Sequence, residues 1–509
     1  MAFRRVLLAS ILLASTTSPA LAAWREARTK HFIIYSEQSP GELQAYAAKL
    51  ERFDAAVRKI RGYEDPQLTD GARLTVFDLP TISAVQQLLP SRMNAAGFYI
   101  PRASGAVAFV STRGSSIAGR GLESDRTLLH EYTHHLMLTD PNSPLAAWLV
   151  EGTAEFFGTA VVEKSGDVTI GYPPRSSANT ILNDVGFSAG DLLAGARPRN
   201  DIERSSVYGK GWLLTHYLAF NQARSGQLSR YVAGLSRGEP PRQAAEGAFG
   251  DLKQLDKEID LYARKTFPAL QVPAGPTPGI QIRSLSEGEA AIMPVRIRVD
   301  RGLRASDVPA VAEQARAIAA RYPADTAVQA TLAEVELAAK RWWPAVEAAD
   351  KALASDPKNV GAMITKGRAM LAEARGKGSS ADWKEVRRWL VQANRADTEN
   401  AEPLYLYYQT FPASGAKPTA DAVKGLYYAH TLAPHDMGLR FTVVRQQLED
   451  GEIDNAIRSF SPIVANPHID VEKRPKLIEA MQKMRARDAA GALAAIEADY
   501  RGDRGGPDG

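Results

Sequence analysis

The chain has 509 residues, more than one hydrophobic core can organise, so two or three folded units are expected. Hydrophobic residues make up 45% of it and charged residues 24%, ordinary values for a soluble globular protein. The net charge of +4 is spread over 62 basic and 58 acidic residues without a Lys/Arg block, so no nucleic-acid partner is expected, and the lack of cysteine excludes disulfides, lipid-modified cysteine and thiolate ligands.

Residues 1–22 read as a secretory signal peptide. Arg4 and Arg5 precede the apolar run Val6 to Ala14, and Ala20-Leu21-Ala22 offers small residues for cleavage. The run is about half the roughly 20 residues a membrane span needs, and no later stretch qualifies. The mature chain is therefore expected to start near Ala23, in the periplasm or the medium, with no membrane span.

From 23 to 120 the pattern mixes strands and helices. His31 to Tyr35, Leu74 to Phe77 and Val107 to Val110 read as strands, and Pro40 to Arg61 carries Leu43, Tyr46, Ala47, Leu50, Phe53, Val57 and Ile60 at helical spacing. Residues 121–270 read as helical, with two apolar helices flanking the breaker Asp140-Pro141-Asn142-Ser143-Pro144. Residues 271–280 hold three prolines and two glycines and open a linker, 271–300, with a short extended segment at Val295 to Val299. Residues 501–509 are too polar and Gly-rich to fold.

Between 301 and 500 the chain is Ala-rich helix with a repeat. Pro323 and Pro357 stand 34 residues apart, Pro434 and Pro467 stand 33 apart, and the 77 residues from Pro357 to Pro434 fit two units if 376–380 is an insertion. Thirty-four is the tetratricopeptide period. Leu332, Ala333, Ala345, Ala352 and Pro357 occupy signature positions of that family, which this region resembles, and Ala422, Ala429 and Pro434 repeat three of them. An all-α solenoid able to bind a protein partner is expected here.

Chemistry is concentrated in Leu128-Leu129-His130-Glu131-Tyr132-Thr133-His134. Histidines four apart on a helix aim at one point, and Glu131 lies about 100° round the helix, within reach of a water on a metal held there. Neutral imidazole suits Zn²⁺, and two protein ligands are too few. Sixteen residues separate His134 from Glu151 in Trp148-Leu149-Val150-Glu151-Gly152-Thr153-Ala154-Glu155. Glu151 is the expected third ligand. Glu155, one turn on, either ligates instead or accepts the outer N–H of a ligand histidine.

W-L-x-E-G-x-A after H-E-x-x-H resembles the signature of gluzincin peptidases, such as the aminopeptidase N family, and 23–270 resembles the smaller peptidase MA-like domain. That resemblance implies an α+β N-terminal part and a mostly helical zinc-site part, with tetratricopeptide repeats behind. It implies His130, His134 and Glu151 as zinc ligands, Glu131 as catalytic base and Glu155 as the acid steadying a ligand histidine. Val207-Tyr208-Gly209-Lys210-Gly211 reads Y-x-K-G, which by the same resemblance makes Tyr208 the residue that stabilises the oxyanion.

The His134–Glu151 interval is shorter than in the large aminopeptidases, and no G-x-M-E-N lies upstream to grip a free amino terminus. Gly97-Phe98-Tyr99-Ile100 stands in the comparable place without the acid. The expectation is therefore an exported zinc endopeptidase acting on peptide or protein substrates, with repeats that recruit them. The alternative is a catalytically silent peptidase-like domain on a protein-binding scaffold. His31, His135, His216, His430, His435 and His468 read as structural.

Overall fold

The computed structural model describes residues 24–89, 96–112, 122–137, 146–174, 177–182, 186–465 and 474–502. The segment 1–22 expected to be a signal peptide, the breaker at 140–144, the turn at 466–468 and residues 503–509 of the expected tail lie outside the described residues, whereas 501–502, expected not to fold, close the last helix.

Two sheets form the first half. The larger joins β1 (Arg25–Arg28), β2 (Phe32–Ser36), β3 (Leu74–Asp78), β4 (Gly97–Ile100), β5 (Val107–Val110) and β9 (Gln281–Ser284) in the order β4-β5-β3-β2-β1-β9. The smaller joins β6 (Val161–Val162), β7 (Val168–Ile170) and β8 (Leu270–Val272). β2 and β5 run parallel to β3 on either side, so each pairing needs a crossover.

Helix α1 (Pro40–Arg61) is the first crossover and covers the predicted span. Ser39 and Glu42 form a capping box around its start, and Gly62 ends it at φ 67°, a conformation open to glycine. Its stripe Leu43, Ala47, Leu50, Phe53 and Val57 is buried against Phe32, Ile34 and Val76 of one sheet face. Helix α2 (Ile82–Leu88), which carries no clear sequence signal, lies against β4 and β5 near the other face.

Helix α3 (Leu122–Met137), which carries His130 and His134, and its successor α4 (Ala147–Gly158) follow. Then come α5 (Ala178–Leu182), α6 (Ala189–Leu193), α7 (Asp201–Phe220), α8 (Gln227–Ser236), α9 (Pro241–Phe249) and α10 (Leu252–Ala263). The stretch 121–270 is thus not wholly helical. β6 and β7 form a hairpin around Gly166, φ 92°, and the β-branched runs on either side are the legible signal for it.

The linker expected at 271–300 needs correcting. Residues 281–284 extend the main sheet, with Arg25 opposite Ser284, and 287–301 form helix α11 (Glu287–Arg301), which takes in the segment 295–299 that alternation marks as extended. The alternation Val295-Arg296-Ile297-Arg298-Val299 deceives because α11 has two apolar faces. Met293 and Ile297 pack beneath the sheet with Trp24, Tyr35 and Phe77, while Ile292 and Val295 pack with Val311 and Ala315 of the repeats. Two buried sides on one helix imitate the period of a strand. The first unit therefore runs on through 301 and shares α11 with the second.

The second unit is a tetratricopeptide-like helical solenoid. After α12 (Val308–Arg321) come the pairs α13 (Thr326–Ala338) with α14 (Trp342–Ser355), α15 (Val360–Lys377) with α16 (Trp383–Ala396), α17 (Ala401–Ala413) with α18 (Ala420–Leu432), α19 (Met437–Glu449) with α20 (Ile453–Ala465), and α21 (Arg474–Arg485) with α22 (Ala489–Gly502). Two pairs fill the Pro357–Pro434 interval, and the insertion at 376–380 is an extra stretch ending α15, 18 residues long where α13 has 13. The signature residues Ala333, Ala345, Ala352, Ala422 and Ala429 are all at 0% exposure, small side chains where helices approach closely. Asp325, Asn359, Asn400 and Asp436 each cap the first helix of a pair. No helix among the described residues is long and apolar enough to cross a membrane.

Candidate metal centre

One turn of α3 separates His130 from His134, and their Nε2 atoms stand 3.0 Å apart. α4 returns against α3 and puts Glu151 Oε2 3.4 Å from the first of these nitrogens and 3.7 Å from the second. Three ligands around a tetrahedral Zn²⁺ at about 2.0–2.1 Å would stand about 3.3–3.4 Å apart. The three observed separations bracket that value. The donor set is two imidazoles and one carboxylate, the composition of a hydrolytic zinc site with one position left for water. Glu151 is 1% exposed, so its charge is dehydrated in the fold and needs a cation nearby.

Glu155 does not join the triad. Its Oε1 lies 3.0 Å from His130 Nδ1, and its other oxygen pairs with Arg126. Of the two roles that spacing leaves open, these distances favour the second. The Glu155 carboxylate faces His130 Nδ1, and Glu151 faces Nε2 of the same ring. Burial alone would lower the His130 pKa, but Glu151 and Glu155 outweigh it and raise the value to about 10.

Tyr208, on the second turn of α7, stacks its ring 6.2 Å from that of His130. Burial, then the charges of Glu151, Glu131 and Glu155, push its phenol far above the ordinary range, so it stays a proton donor. Glu131 is half-buried and close enough to raise the phenols of both Tyr208 and Tyr99. The structure thus gathers His130, Glu131, His134, Glu151, Glu155 and Tyr208 into one place.

Three glycines explain how helices this close can exist. A Cβ on Gly152 would stand 2.4 Å from the carbonyl oxygen of Gly211, so α4 and α7 cross backbone to backbone. Gly152 follows Glu151 directly and Gly211 lies three residues after Tyr208, so one crossing brings carboxylate and phenol together. Gly158 allows a similar approach of α4 to His130, where a Cβ would meet the His130 Cβ at 3.2 Å.

A second cluster, His31, Glu51 and Asp54, also has metal-ligand types within reach of one another. Its partners argue for an ion-pair network instead. Arg58 Nε donates to both Asp54 oxygens at 2.9 Å, Tyr132 donates to Asp54 at 2.7 Å, and both His31 nitrogens face carboxylates, Glu51 at 2.8 Å and Asp65 at 2.9 Å. No spacing in the sequence announces this network, which ties β2 and α1 to α3 through Tyr132. Burial lowers the His31 pKa, but Glu51 and Asp54 outweigh it and the net direction is up from 6.5. The stabilisation is therefore complete below the unfolded value and fades as pH rises through the folded one. His31→Gln should cost most stability below pH 6.5 and progressively less as pH rises above it, as urea unfolding across that range would measure. A gap between wild type and variant that widened with pH would contradict the imidazolium.

His216, which also reads as structural in the sequence, is buried between the Tyr262 hydroxyl and the Pro268 carbonyl at 2.9 and 3.0 Å. His468 lies outside the described residues.

No family model matches the chain, and no curated protein matches it. Among solved structures, a thermophilic tetratricopeptide-repeat protein of Thermus thermophilus is 17% identical, covers 40% of this chain and 94% of its own, and has a TM-score of 0.27. Yeast Tom70 is 11% identical, with 76% and 78% covered and a TM-score of 0.26. The helix pairs, their period and their buried alanines define the repeats.

Proposed function

We propose that this chain is a protein-binding repeat protein whose first unit carries a zinc centre that hydrolyses peptide bonds. Stacked helix pairs are a general platform for protein partners, which supports the binding half. A single observation carries the hydrolytic half: two imidazoles and a carboxylate at zinc-like separations, with Glu131 and Tyr208 beside them and outside the ligand set.

His130, His134 and Glu151 would hold the ion. Zn²⁺ bound there would supply a Lewis acid that polarises a carbonyl and lowers the pKa of water from 15.7 toward about 7. The Glu131 carboxylate accepts the proton of the attacking water and delivers it to the departing amide nitrogen. The Tyr208 hydroxyl donates to the oxygen on which negative charge develops. Glu155 keeps His130 in its ligating orientation. Gly97 to Ile100 bears no acid to hold a free amino terminus, which supports endopeptidase over aminopeptidase action.

A second reading keeps the metal and drops the turnover. It is favoured by the extent of the solenoid, α12 to α22, which can bind protein without any chemistry. Metal analysis and turnover separate the possibilities. The purified protein should carry about one Zn²⁺ per chain, lose it in a His130→Ala, His134→Ala double variant, and release peptides from a proteome-derived library only while zinc is present. Full metal content in the double variant would defeat the site, and a zinc-loaded protein that releases nothing would leave the scaffold.

A further inference from the structure

The solenoid does not merely follow the first unit; it returns to touch it. Asp325, which caps α13, accepts from the Ser286 hydroxyl at 2.9 Å. Asp397, in the turn before α17, accepts from the backbone N–H of Gly71 at 3.2 Å. Asp436, which caps α19, accepts with one oxygen from Leu439 N at 2.7 Å and with the other from the Ala103 N–H at 2.6 Å. Ala103 itself sits in a core formed by Ala401, Tyr408, Leu426 and Leu439 of the repeats.

The last of these contacts reaches the metal helix. His435 is 8% exposed, and its ring lies 5.2 Å from that of His135, the residue after ligand His134. His135 is held in turn by the Tyr99 hydroxyl at 2.9 Å from its Nδ1 and by the Tyr132 ring stacked 5.6 Å away. Tyr132 and His135 are three apart, so they share one side of α3, turned from the side that carries His130 and His134. The ligand helix is thus braced from behind by three sources: α1 through Asp54, β4 through Tyr99, and the solenoid through His435.

We infer that His435 is a positioning residue for the metal centre, supplied by the repeats, which hold α3 at the angle that lets both ligand nitrogens converge. The metal part of this inference rests on the zinc reading above. Burial lowers the pKa of His435 to about 4, so the neutral ring packs without adding charge behind the centre. A partner that shifted the turn before α19 would reach the metal through this contact.

The test uses the full-length protein and three forms: wild type, His435→Ala and His435→Phe. Hydrogen exchange across α3 and Zn²⁺ affinity by chelator competition are read in each. His435→Ala should speed exchange in α3 while α1 and the sheet stay protected. It should also weaken Zn²⁺ about tenfold, the low end for groups that support metal ligands. His435→Phe keeps a ring against His135 and should restore both. Unchanged α3 exchange in His435→Ala overturns the inference, as does a Phe variant no better than Ala. A wild-type protein that binds no Zn²⁺ would defeat the metal reading alone, and α3 exchange would still decide whether the solenoid braces that helix.

Discussion

Glu131→Gln is expected to bind Zn²⁺ as wild type does and to cleave peptides about 10²- to 10⁴-fold more slowly, the usual contribution of a positioned general base. The amide has the shape of the acid, so the fold has no reason to change. It cannot accept a proton, so the attacking water stays un-ionised. Glu131 is also absent from the group of three whose ligand atoms converge, which is why metal should survive its loss. Glu151→Gln should do the reverse and weaken metal first, because that carboxylate lies 3.4 and 3.7 Å from the two ligand nitrogens. Tyr208→Phe removes one oxyanion donor and should cost about 10²- to 10³-fold in kcat. Substrates with blocked amino termini should still be cut. If wild type and Glu131→Gln prove equal against broad peptide libraries, the hydrolytic reading fails and the protein-binding scaffold remains.

Gly152→Ala should be a severely damaging single-methyl change in the first unit. The added carbon would lie 2.4 Å from the Gly211 carbonyl oxygen and 2.8 Å from Thr215 Oγ1, and backbone cannot swing aside as a long side chain can. Overpacking of this kind costs about 1–3 kcal/mol. Relief requires α4 and α7 to separate, which draws Glu151 from the histidines and Tyr208 from His130, so Zn²⁺ affinity should fall together with the melting temperature. Gly247, exposed in α9 with nothing within 4 Å, is the control. There alanine should stabilise by about 0.5–1 kcal/mol through helix propensity. Equal effects at the two positions would show that the α4–α7 crossing does not set the geometry.

These two positions also show where one-dimensional reasoning stops. His130 and His134 are legible because a helix converts a spacing of four into a shared face, and Glu131 because the residue after the first histidine falls about 100° round from it, whatever surrounds them. The α1 stripe and the 34-residue repeat are legible for the same reason: local periodicity reports which side of a helix is buried. Gly152 and Gly211 can be seen in their motifs, but no sequence pattern says that they meet each other. Whether Glu155 ligates or steadies His130 is equally open in the sequence, since both glutamates share a face of α4, and only their distances from the two imidazole nitrogens of His130 distinguish them. The stretch 271–300 misleads because composition reports where the backbone bends and not what a segment packs against. Ile292 and Val295 on one side of α11, with Met293 and Ile297 on the other, make sense only between a sheet and a solenoid. His435 lies 300 residues from His135 in the chain and 5.2 Å from it in space, ring to ring. Contacts of that separation leave no local period, because they depend on how two independently patterned units dock, and docking is decided by three-dimensional fit.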